Sequence, residues 1–152
     1  MKLVYNYFDP SKMEPQGIKN ALQILKEEKL TIDASHLHLL EAAEKGVFNA
    51  MCELAQAFSD GNIKGIPRNY KMSRYYTDQI IRINESTDDA AKAIVNGYRN
   101  SGLLERNFGN TEKAIEEFIK AIKIMCDNLA PHDWDYDVQY YLWQLTAGKD
   151  FQ

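Results

Sequence analysis

The sequence predicts an all-α fold, an α-solenoid of about seven helices stacked as antiparallel pairs, and three observations carry that expectation. Apolar residues recur at helical spacing almost throughout the 152 residues, with period-two alternation confined to 3–8. Glycine and proline are scarce, at 8 and 4 residues, which argues against a turn-rich β-sandwich. The chain also repeats itself at a period of about 40 residues built from two helices, the pattern of a solenoid.

Each helix has its own start, stripe and stop. The first is expected over 14–29, with Pro15 in its first turn and a stripe of Ile18, Leu22 and Leu25. Asp33 or Thr31 caps a second, which turns Leu37, Leu40 and Ala43 inward and ends at Gly46. A third covers 48–59, carries Ala50, Met51, Leu54 and Phe58, and stops at Asp60-Gly61. The stretch 61–67 is rich in turn residues, and Pro67 forbids a helix through it. Asn69 caps a fourth helix that reaches 83 with Tyr76, Ile80 and Ile83 on one side. A fifth runs from Thr87 to about 100 on Ala90, Ala91, Ile94, Val95 and Tyr98, and ends near Gly102. Thr111 opens a sixth, through Met125, with Ile115, Phe118, Ile119 and Ile122 inward. A seventh begins at Pro131, carries Trp134, Val138, Tyr141, Leu142 and Leu145, and ends at Gly148.

Sliding the sequence on itself brings out the repeat. At an offset of 40, Ala50, Leu54 and Phe58 fall on Ala90, Ile94 and Tyr98; one residue later, at 41, Asn69, Ser73, Ile80 and Ile81 fall on Asn110, Ala114, Ala121 and Ile122. A small residue at one end of each row lets helices approach, and the large residue at the other end fills the gap. One domain over 1–152 results: a divergent first pair at 14–46, repeats at 47–84 and 86–127, and a capping helix at 131–148.

Ala42-Ala43-Glu44-Lys45-Gly46, then Ala50, Leu54, Ala55 and Phe58, then Gly61, Gly65-Ile66-Pro67, and Asn69-Tyr70 ahead of Tyr75-Tyr76 together resemble the Sel1-like repeats, a branch of the tetratricopeptide-like solenoids. The sequence departs from that pattern at Ala55, where the family prefers Gly, at Asn69 for Asp, and at Tyr75-Tyr76 for Trp-Tyr. The second repeat departs further, with Leu103 to Asn107 in place of the Gly-Val signature. The resemblance implies a right-handed solenoid, a small bacterial adaptor that binds proteins through a concave face lined by the first helix of each pair, and no catalysis.

Charge narrows the partner. The net charge of −4 is local: 1–126 holds 17 acidic and 17 basic residues, whereas 127–152 holds Asp127, Asp133, Asp135, Asp137 and Asp150 against Lys149 alone. Such a distribution suits a protein with a basic surface, and neither nucleic acid nor a membrane is expected as partner. The opening MKLVYNYFDP lacks the long apolar core of a signal peptide, and no run approaches a membrane span. A reducing, cytoplasmic setting is expected, with Cys52 and Cys126 as small buried thiols on helices. Phosphate-binding, nucleophile-elbow and zinc-protease motifs are absent, so no enzyme and no cofactor are expected. His36 and His38 point about 200° apart on a helix and cannot share a metal.

The candidate partner-binding residues fall in three groups. Asn49, Glu53, Gln56 and Asp60 on the third helix, and Asn96, Arg99 and Asn100 on the fifth, face outward if Leu54 and Ile94 face inward. The third group is the acidic aromatic end: Asp133, Trp134, Asp135, Tyr136, Asp137, Tyr140 and Trp143. Its carboxylates suit a binding hot spot, a divalent cation, or the positive end of a helix dipole, and its rings suit either an interface or a solenoid cap. The expected function is protein binding, in a narrower version as an immunity or antitoxin protein; the alternative is a self-assembling scaffold component. The oligomeric state is open.

Overall fold

The structure, a computed structural model, describes residues 7–8, 18 and 20–147. Among these residues the chain forms seven α-helices: α1 Asn20–Glu27, α2 Leu37–Glu44, α3 Phe48–Asp60, α4 Tyr70–Ile81, α5 Asp88–Asn107, α6 Thr111–Asn128 and α7 Tyr136–Thr146. Single 3-10 turns, Ala34–His36 and Pro131–Asp133, precede α2 and α7. Two short strands, β1 Tyr7–Phe8 and β2 Ile32–Asp33, pair antiparallel, with Tyr7 opposite Asp33 and Phe8 opposite Ile32. The all-α class therefore stands, with a ladder of two residues per strand added. Contacts group the chain into two compact units, Met1–Tyr76 and Thr77–Gln152, divided within α4.

In the first unit, α1 covers Asn20–Glu27, and Ile18, expected on its stripe, is buried outside the helix; the expected start at 14 lies outside the described residues. The helix closes through Lys29 at φ +54, with the Leu30 amide donating to the Leu25 carbonyl at 3.0 Å. A lysine in this left-handed conformation costs about 1–2 kcal/mol that a glycine would not. Asp33 is the cap of the first 3-10 turn, its carboxylate accepting from the Ser35 amide at 3.0 Å. Gly46, at φ +92, ends α2 as expected, with the Val47 and Gly46 amides donating to Ala42 and Ala43. Then α3 buries Ala50, Leu54 and Phe58 together with Met51, Ala55 and Ala57.

The turn-rich stretch after α3 is anchored, not loose. Gly65, at φ +89, lies so close to Asp33 that a side chain there would collide with it. Its carbonyl accepts from the Asp33 amide at 2.9 Å, the His36 Nε2 donates to the Lys64 carbonyl at 2.9 Å, and Ile66 is buried. Asn69 then caps α4 as its residue type demands, its Oδ1 accepting from the Met72 amide at 3.0 Å. The Ser73 hydroxyl donates to the Ala55 carbonyl at 2.7 Å, and the Tyr76 ring stacks on Phe58 at 6.2 Å, which ties α4 to α3.

In the second unit, α5 and α6 lie side by side in opposite directions, Tyr98 meeting Lys120 and Ser101 meeting Glu117. Thr87 caps α5 through its hydroxyl, which accepts from Ala90 at 3.1 Å. The helix continues to Asn107, past its expected end near Gly102. Gly102 is not a terminator but a contact: a Cβ there would lie 2.5 Å from the Phe118 ring. Gly97 likewise lets Ile80 approach, a Cβ there falling 2.8 Å from its Cγ2. On α6 the buried stripe is Ala114, Glu117, Phe118, Ala121 and Met125, so Ile119, expected inward, is exposed.

The expected seventh helix is broken in two. Pro131–Asp133 forms the 3-10 turn, Trp134 and Asp135 are extended, and α7 starts at Tyr136. Val138 is fully buried against Phe118, Ala121 and Met125, with Trp134, Tyr141, Leu142 and Leu145 half-buried around them. The expected stop at Gly148 lies outside the described residues.

Candidate functional site

The α3 candidates fall on one helical face by their spacing of 4, 3 and 4, and Asn49, Glu53, Gln56 and Asp60 are all exposed. The α5 candidates divide. Asn96 is half-buried, and Asn100, expected outward, is a core residue whose Nδ2 donates to the Thr77 hydroxyl at 2.7 Å. It is buried because residues 90, 93, 97, 100, 101 and 104 form the inward face of a helix longer than the sequence indicated, while Ile94 and Tyr98 stay half-buried.

Arg99 and the acidic segment bind each other. The Arg99 Nη1 lies 2.7 Å from the Asp135 Oδ2, with both side chains only about a fifth exposed. Lys92, two turns earlier on the same face of α5, reaches Asp133 at 3.4 Å, and His132 reaches it at 3.4 Å. Asp135 also accepts from the Asp137 amide at 3.1 Å, which makes it the cap of α7. Arg99 and Asp135 are thus engaged inside the unit, as is Asp133 in part, and the outward charge of the segment comes from the exposed Asp127 and Asp137. Asp150 lies outside the described residues.

The rings of the same end sort by depth. Trp134 is half-buried and donates its Nε1 hydrogen to the Leu129 carbonyl at 2.9 Å. Tyr136, Tyr140 and Trp143 are 57%, 56% and 62% exposed and share one face of α7 at a spacing of 4 and 3. Tyr140 and Trp143 stack at 6.2 Å with their planes 22° apart. The Tyr136 hydroxyl donates to the Pro131 carbonyl at 3.0 Å, fixing that ring.

Glu117 escaped sequence reasoning. Its side chain is 8% exposed, accepts from the Ser101 hydroxyl at 3.2 Å, and lies 3.6 Å from the Lys113 and 3.5 Å from the Lys120 ammonium. The signal was present in the flanking lysines at i−4 and i+3, which can follow a carboxylate into a helix interface. Neither cysteine is buried as expected: Cys52 is half-buried and Cys126 exposed. A cleft of about 190 Å³ opens at the start of α5 between Glu85, Thr87, Asp88, Ile94, Ile124 and Asn128, smaller than the ~300–1,000 Å³ of ordinary ligand sites. Among the described residues no three His, Cys, Asp or Glu side chains converge to hold a metal, and no helix is long and apolar enough to cross a membrane. No protein-family model, curated protein or solved structure matches the chain.

Proposed function

We propose that the chain is a small Sel1-like module, a right-handed α-solenoid of antiparallel helix pairs, that binds another protein. Supporting the repeat, α3 and α5 start 40 residues apart, at Phe48 and Asp88, and α4 and α6 start 41 apart, at Tyr70 and Thr111. Burial follows the same register, with Ser73 and Ala114, and Ile80 and Ala121, buried in each pair. The two pairs differ in their inter-helix segment: 61–69 is an anchored loop after α3, whereas of the residues 41 further on, 102–107 finish α5 and only 108–110 form a loop.

The observation that carries the binding role is the outward row Tyr136, Tyr140 and Trp143, residue types that dominate interface hot spots. A cytoplasmic, non-catalytic immunity or antitoxin protein, steered onto a basic toxin by Asp127 and Asp137, is the narrower form. Co-purification with the product of the adjacent gene tests it. A complex weakened at least ~10-fold by Trp143→Ala or by Glu53→Ala is expected; a complex indifferent to both overturns the assignment of these faces. The same row favours a second reading, a self-assembling scaffold unit, for which light scattering must show an oligomer that Trp143→Ala dissolves.

A further inference from the structure

Aromatic rings in this protein are used as cation seats. The Arg74 guanidinium lies 5.8 Å from the Tyr70 ring centroid, Arg106 lies 5.4 Å from Tyr141, and the Lys120 ammonium lies 5.7 Å from Tyr98. A ring face carries the negative lobe of the quadrupole, and each such pair is worth about 0.5–1 kcal/mol at an exposed site. Among the described residues, no cation sits over Tyr136, Tyr140 or Trp143, the three rings most open to solvent on α7.

The element cannot supply one. Between Lys123 and Lys149 the sequence contains no lysine or arginine, while Asp127 and Asp137 are exposed and Asp133 keeps about a quarter of its side chain open. The open ring faces and the exposed carboxylates of this end both favour a cation over an anion. The rings are also held in place, Tyr140 stacked on Trp143 and Tyr136 tethered to Pro131, so little ordering cost falls on binding.

We propose that this face docks an amphipathic helix of another protein whose apolar stripe is bordered by arginine or lysine; the proposal deepens the binding-module reading and rests on it. Length fits: residues 136, 140 and 143 span roughly 10 Å of helix axis, which two turns of a partner helix cover with anchors at i, i+3 or i+4, and i+7. Charge disfavours the most available competitor. A second copy of α7 would bring the same carboxylates and no cation to a self-complementary interface, so like charges would meet across the two-fold axis.

The test titrates the full chain with two synthetic helical peptides of identical leucine pattern, one bordered by arginine and one by glutamate, by calorimetry at ~0.05 M and ~0.3 M salt. The arginine peptide should bind at least ~10-fold tighter than the glutamate peptide. Tyr140→Ala and Trp143→Ala, both at exposed positions, should each weaken it ~10-fold without moving the unfolding midpoint. Asp137→Asn should reduce the loss between the two salts. Equal affinity for the two peptides, absence of binding, or binding indifferent to Trp143→Ala overturns the proposal. A dimer of the free chain dissolved by Trp143→Ala assigns the face to a second copy and also overturns it. A partner protein released by Glu53→Ala and untouched by Trp143→Ala overturns this inference while leaving the binding-module reading intact; a partner indifferent to both removes both.

Discussion

At Gly102 two residue-scale effects compete, and their magnitudes decide the outcome. Alanine is better than glycine inside a helix by about 0.8–1 kcal/mol. Against that, its methyl would enter the space of the Phe118 ring, at 2.5 Å, and overpacking costs about 1–3 kcal/mol. Gly102→Ala is expected to lower stability by up to about 2 kcal/mol in urea denaturation, and Phe118→Leu in the same chain should return part of it. Tyr76 runs the other way. Its ring is buried between Phe58 and Tyr75 while its hydroxyl has no hydrogen-bond partner, and burial pushes its pKa far above the ordinary tyrosine value. Tyr76→Phe should leave stability unchanged or raise it by about 1 kcal/mol, because only an unsatisfied polar group is lost; a marked fall would mean the hydroxyl is satisfied. Asp33 has its pKa lowered, chiefly by the hydrogen bond from the Ser35 amide, against a smaller opposing effect of burial. A carboxylate with a depressed folded pKa adds stability above its unfolded value of about 4 and loses it as pH falls through the folded value. Asp33→Asn should therefore flatten the acid limb of the stability profile below about pH 4, leaving the alkaline limb as it was.

For the elements, the seating of α7 is the feature that the order of residues concealed. Val138 enters the Phe118 cluster, and Asp135 both caps the helix and holds Arg99 on α5. Asp135→Ala removes a cap worth about 1 kcal/mol and an ion pair worth up to about 1 kcal/mol, so a loss near 2 kcal/mol is expected. Lys92→Ala breaks a pair with more exposed partners and should cost under about 0.5 kcal/mol. Comparing the two by urea midpoints checks the ranking. The starts of α4 and α5 were legible because Asn69 and Thr87 announce themselves by type and position. The end of α5 was not, since a glycine that stops a helix and a glycine that admits a neighbouring ring are the same letter; the side chain that decides, Phe118, lies on another helix.

Across the molecule, the charge of −4 is concentrated beyond residue 126, as the sequence states, but its availability is not a matter of counting. Asp133 and Asp135 face Lys92 and Arg99, which leaves Asp127 and Asp137 to act at a distance. Association with a basic partner should accordingly lose most of its salt dependence in the Asp127→Asn, Asp137→Asn double variant. Asp133→Asn should change stability more than association rate. Stopped-flow rates at two ionic strengths separate the cases, and an unchanged salt slope in the double variant would remove the steering role. The division into Met1–Tyr76 and Thr77–Gln152 falls inside α4, away from 84–86, where the sequence places the edge between the two expected repeats.

The sequence by itself determined the all-helical class, the cap at Asn69, the start of α5 at Thr87, the left-handed glycine stop at Gly46, and the 40- and 41-residue spacing of the helix starts. All of these depend on neighbours within a few residues or on periodicity along one helix. Only the tertiary structure decided that Asn100 and Glu117 are interior, that Ile119 and Cys126 are exposed, and that Arg99 belongs to Asp135. Those outcomes depend on which face of a helix meets another, and that choice is made by packing between segments 16 to 36 residues apart, such as Ser101 with Glu117 and Arg99 with Asp135.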